Sequence, residues 1–159
     1  MMYNELLKEI EQYIEMHKNA IYRSLQSMVY EEDVQVEVED YINKFRKPPL
    51  NQILFQLIDQ KGMKDSEVYK RAGIDRRHFS KIRTNSSYKP KKNTIISLAL
   101  ALELDKDETE ELLQAAGYAF SDNDTHDLII QFFLEKQLYD IGIINEVLDH
   151  FRLRPLIDD

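Results

Sequence analysis

The paired prolines at 48 and 49 constrain this chain more than any other feature. Proline lacks a backbone N–H and disfavours helical geometry in the residue before it, so Lys47-Pro48-Pro49 ends any helix that reaches it. What precedes reads as helix. Tyr3, Leu7, Ile10, Ile14, His17 and Ile21 follow a 4,3,4,3,4 pattern and Met28 falls one heptad on, so residues 3–28 carry a heptad seam. Leu6, Tyr13 and Leu25 widen that seam, so it suits packing on a core as well as pairing with a second helix. Residues 31–46 carry two patterns at once. Val34, Val36 and Val38 alternate like a strand, while Val34, Val38, Tyr41, Ile42 and Phe45 follow helical spacing. The longer window and the acidic start favour a helix.

Beyond Pro49 the pattern breaks into short amphipathic stretches. Leu50, Ile53, Leu54, Leu57 and Ile58 predict a helix over 50–61, closed by Lys61 and Gly62. A second helix spans 65–72, with Val68 and Ala72 inward. Gly73-Ile74-Asp75 makes a tight turn, and Asp75 caps a third helix over 76–83, with Phe79 and Ile82 inward. Thr84–Lys91 is a polar loop, and 92–103 an apolar helix. Asp107 and Glu110 are spaced as a capping box for a helix ending at Gly117. Asp124 and Asp140 are N-cap candidates for two more helices, over about 124–136 and 140–151.

Charge is distributed unevenly. The total is −8, yet residues 48–92 hold 11 Lys/Arg against 4 Asp/Glu, a net +7. Residues 1–47 carry −4 and residues 93–159 carry −11. A basic island between acidic arms predicts a localised anion-binding surface. The absence of cysteine rules out disulfides, thiolate metal sites and a cysteine nucleophile. The longest apolar run, Thr94–Leu102, is far short of the ~20 residues that span a bilayer. Glu5, Glu9 and Glu11 are wrong for a secretory signal. The expectation is a soluble, cytoplasmic, all-α protein with no membrane partner.

The island carries the motif. Two short helices, the first ended by Gly73, joined by a three-residue turn, match a helix-turn-helix. Arg76, Arg77, Ser80 and Lys81 share the outward face of the second helix, with Arg83 near its end. Arginine can donate two hydrogen bonds to guanine O6 and N7, so such a face suits the major groove.

The stretch Lys61–Arg83, followed by Pro90 and Thr94–Leu102, resembles the XRE or lambda-repressor-like family over about residues 50–117. The resemblance implies a five-helix bundle, usually dimeric, that binds double-stranded operator DNA as a transcriptional regulator. By position, Arg76, Arg77 and Lys81 match the base-reading residues, and Lys89, Lys91 and Lys92 fall where phosphates approach. The expected layout is an N-terminal helical segment (1–47), a helix-turn-helix domain (48–117) and a C-terminal helical extension packed on it (118–159). A homodimer would form through the N-terminal seam or the last two helices. Residues 48–155 are also similar to a helical module found at the C-terminus of unrelated bacterial chains, including macro-domain proteins.

Four departures leave room for another use of the fold. Tyr69 stands where the family has a small alanine. Asp65 stands where glutamine is common, and an acid there repels DNA. The loop before Pro90 is about one residue longer than is usual in the family, and Lys92 takes an often apolar position. The alternative reading is a protein-interaction module, antitoxin-like, phage-defence or inhibitory, that takes a partner through its acidic flanks. No cofactor or enzyme signature is present. Asp122–Asp127 lacks the glycine and glutamate of a calcium loop, and the four histidines at 17, 78, 126 and 150 have no ligand spacing.

Overall fold

The computed structural model describes residues 2–157, with side chains throughout except at 28–30. It is all-helical, with no strand among the described residues. The chain divides into two compact units, Met1–Arg46 and Lys47–Asp159.

The first unit is one helix, α1 (Met2–Phe45). No glycine or proline interrupts it, and Pro48-Pro49 follows its end. The strand-like alternation of Val34, Val36 and Val38 is overridden. Helical spacing carries Val34 and Val38 onto the stripe that continues to Ile42 and Phe45, while Val36 lies off it. Met28, the last residue of the expected seam, has its side chain outside the described residues.

The second unit holds seven short helices: α2 (Leu50–Lys61), α3 (Asp65–Ala72), α4 (Arg76–Thr84), α5 (Lys92–Ala101), α6 (Lys106–Ala115), α7 (Thr125–Lys136) and α8 (Ile141–His150). Ile95 to Leu102 are all buried, so α5 is covered on every side and forms the centre of the unit. α3 and α6 pack on α5, and α2 packs on α4 and α6. α7 packs on α6, and α8 on α7. The two C-terminal helices therefore belong to the same body as the rest, adding Ile130, Phe133, Leu134, Ile144 and Leu148 to one continuous core.

The helix ends explain why the turns fall where they do. Gly62 (φ 66°) and Gly73 (φ 72°) take the left-handed conformation that reverses the chain after α2 and α3. The capping box lies two residues before the expected Asp107–Glu110 pair. Asp105 Oδ1 accepts from Glu108 N at 2.7 Å, and Glu108 Oε1 accepts from Asp105 N at 3.1 Å. Both pairs have the required spacing. The fully buried Leu104 anchors the chain just before Asp105 and so selects the earlier start.

Three turns after helices are left-handed without a glycine among the described residues: Glu103, Gln137 and Arg152 adopt φ of 54°, 56° and 58°. After Arg152 the chain runs back to the turn between α3 and α4. Leu156 is buried, its N–H donates to Asn145 Oδ1 at 2.9 Å, and Ile157 packs against Gly73. A Cβ on Gly73 would lie 2.7 Å from Ile157 Cδ1.

Candidate nucleic-acid interface

α4 begins cleanly because Asp75 Oδ1 accepts from His78 N at 2.6 Å. Phe79 and Ile82 fix its inward side. Phe79 meets Tyr69 of α3, ring centroids 5.6 Å apart. The large residue at 69 is thus accommodated by aromatic contact at the α3–α4 crossing. At the far end, Asn51 Nδ2 of α2 donates to the Arg83 carbonyl at 3.2 Å.

With successive residues turned by ~100°, Arg76, Ser80, Thr84, Arg77 and Lys81 fall within an arc of roughly 140°. All five are exposed. His78 bounds the arc on one side and Arg83 on the other. Arg76 and Arg77 make no ion pair, hydrogen bond or ring contact with any described residue. Two arginines in the first turn oppose the helix dipole, whose N-terminal end favours acids. They therefore add nothing to helix stability, and the positive end of the helix reinforces their potential.

The remaining predicted residues divide by their surroundings. Lys81 Nζ lies 4.1 Å from the centroid of the Tyr88 ring, and the Tyr88 hydroxyl is 3.1 Å from His78 Nε2. Tyr88 is half-buried and pins the loop to α4. Lys89 Nζ lies 4.5 Å from the Tyr118 ring centroid, and Tyr118 Oη donates to the Pro90 carbonyl at 2.9 Å. Lys91, just before α5, is exposed and has no partner among the described residues.

Arg83 and Lys92 are engaged by structural partners, Arg83 at the surface and Lys92 half-buried. Arg83 Nη1 pairs with Asp65 Oδ2, and its guanidinium lies 4.5 Å from the Phe55 ring centroid. The acid at 65 is therefore matched by a charge on the neighbouring helix. Lys92 Nζ donates to Asp127 Oδ2 at 2.7 Å, and that oxygen also accepts from Ser121 N at 2.8 Å. The Asp127 side chain is only 4 % exposed, that of Lys92 29 %. Lys92 is thus directed away from the surface expected of it, because α7 presents a buried carboxylate to α5.

Asp124, His126 and Asp127 bring ligand atoms within 4.8 Å of one another. Asp124 caps α7 through Asp127 N, and the Lys92 ammonium already neutralises Asp127, so this cluster is accounted for as a helix start tied to α5. Among the described residues no helix is long and apolar enough to cross a membrane. No family profile, curated protein or solved structure matches this chain.

Proposed function

We propose that the second unit is a lambda-repressor-like helix-turn-helix domain that binds double-stranded DNA, with α4 in the major groove. The observation that carries the reading is the outward arc of α4, where Arg76 and Arg77 stand exposed and unpaired on a helix whose other face is locked into the core. In this arrangement the first turn of α4 reads base edges, through the two arginines. Ser80 and Lys81 follow the groove, and Lys89 and Lys91 meet phosphates. Arg83 and Lys92 stay with Asp65 and Asp127 and support the frame.

The test is retention of fragmented genomic DNA from the host at ~150 mM salt, followed by sequencing, with Arg76→Ala/Arg77→Ala in parallel. The reading expects a short enriched site that the folded double variant loses. Failure of the folded wild type to enrich any site overturns it.

A second reading is favoured by one group of residues. Leu128 and Phe132 on α7, and Ile143 and Phe151 on and after α8, are each about half exposed, within a segment of strong negative charge. Such a surface suits a protein partner with apolar and basic groups. Stable capture of that partner by a protein that enriches no DNA would favour this alternative.

A further inference from the structure

α1 spans 44 residues, a rod ~66 Å long at 1.5 Å per residue. Every described side chain on it is exposed except the half-buried Val34. Its apolar residues are not scattered. In heptad terms Leu7, Ile14, Ile21 and Ile42 occupy one seam position, a, and Tyr3, Ile10, Val38 and Phe45 the other, d. Leu6, Tyr13, Ala20, Val34 and Tyr41 fill most of the flanking g position, while the opposite flank, e, is mainly charged, with Glu11, Lys18, Glu32 and Glu39 about a single Leu25. The large members of this stripe are each 41–73 % exposed. At on the order of 90 Å² per half-exposed side chain, the stripe offers ~1,000 Å² per chain, against the about 800 Å² per partner of a standard stable interface.

The order of residues along the stripe identifies what covers it. The seam is apolar at both ends and mixed in the middle, where His17, Ser24, Glu31 and Gln35 alternate with Ile21 and Met28. From either end inward it reads alike as far as His17 and Gln35. Two copies laid antiparallel about residue 26 place Leu7 opposite Phe45, Ile10 opposite Ile42, Ile14 opposite Val38 and His17 opposite Gln35, at the cost of setting Ile21 opposite Glu31. Antiparallel pairing also sets g against g, so Tyr13 meets Tyr41 and Ala20 meets Val34. On the e side Lys18 meets Glu32, while Glu11 faces Glu39, a like-charge pair that the longer apolar flank must offset. A parallel pair is worse on two counts. It brings Glu31 against Glu31 in the seam, where antiparallel pairing leaves them ~15 Å apart, and it lays the apolar g line against the mainly charged e line.

We propose that α1 is a self-recognition element that pairs with α1 of a second copy of this chain, antiparallel, in the register that sets Ile10 opposite Ile42. The assignment stands independently of what α4 binds.

The chain has no cysteine, so single substitutions report the geometry without background. Full-length Ile10→Cys and Ile42→Cys chains, carrying different tags, are co-expressed, purified and mildly oxidised. The expected result is a mixed disulfide joining the two chains and none joining two Ile10→Cys chains. Lys18→Cys with Glu32→Cys leaves the seam intact and repeats the test on its flank. Light scattering of the unmodified protein at tens of micromolar is expected to give twice the chain mass. A monomer, a disulfide between two Ile10→Cys chains, or a dimer with neither mixed cross-link overturns the proposal.

Discussion

Lys92→Met separates a structural lysine from a DNA-contacting one. In the folded protein the Lys92 ammonium is 2.7 Å from Asp127 Oδ2, and only Ser121 N shares that oxygen. Methionine keeps the length of the stem and removes the charge. Asp127 is then left as an anion at 4 % exposure with one backbone donor on that oxygen. Orphaning a fully buried charge costs about 3–5 kcal/mol. Lys92 is nearly one-third exposed, so water enters from its side, and the cost falls to about 2–3 kcal/mol. At roughly 4 °C per kcal/mol for a unit of this size, Tm drops by ~10 °C. Urea unfolding followed by near-ultraviolet circular dichroism reads the second unit through its tyrosine packing. Asp127→Asn supplies the sign test. Alone it destabilises, because it weakens the pair; added to Lys92→Met it restores stability, because it removes the orphaned charge. The slope of log K for DNA against log salt stays unchanged in Lys92→Met. A loss below about 0.5 kcal/mol with a shallower salt slope would show that Lys92 faces phosphate instead.

Three further outcomes are expected. Phe79→Ala empties a site that is 3 % exposed beside Tyr69 and costs ~3–5 kcal/mol, with DNA binding lost in step with folding; binding lost from a fully stable variant contradicts the packing described. Gln137→Gly relieves a non-glycine residue at φ 56° after α7 and raises stability by about 0.5–1 kcal/mol in thermal melts, where a neutral or negative change counts against that strain. Burial, then the charges of Glu103, Asp105 and Glu108, raise the Tyr139 phenol above its ordinary value of 10.0. The folded chain holds this proton where the unfolded chain releases it, so stability is intact below pH 10 and falls above it, until the folded group also ionises. Tyr139→Phe removes that part of the alkaline loss in melts between pH 9 and 11, and identical profiles contradict it.

The helices of the second unit were legible wherever a local residue decides the matter. Gly62 and Gly73 fix two chain reversals, Asp75 caps α4, and Asp124 and Asp140 cap α7 and α8. Less was legible where the decision is made across the fold. Asp65 looked like a repulsive acid because nothing local shows that Arg83, 18 residues on, reaches it. Lys92 looked like a phosphate contact because its partner lies 35 residues away. The left-handed ends at Glu103 and Gln137 carry no glycine to announce them; what enforces them is the burial of Leu104 and the packing beyond α7. The return of Leu156 and Ile157 to the α3–α4 turn had only the apolar spacing of Leu153, Leu156 and Ile157 as a signal. For the candidate interface, the outward residues of α4 followed from helical period alone. The division into exposed and internally paired cations required the tertiary partners.

The central claim is that Arg76 and Arg77 read DNA, and a binding isotherm tests it most directly. Fluorescence anisotropy on the site recovered from the genomic selection, at several salt concentrations, compares wild type with Arg76→Ala/Arg77→Ala. The account predicts that log K falls linearly with log salt for the wild type, and that each arginine removed costs about 1–3 kcal/mol on this site while the melting curve is unchanged. Equal affinity of the double variant for the selected and a scrambled sequence completes the expected result. A double variant that still prefers the selected site as strongly as the wild type would contradict it.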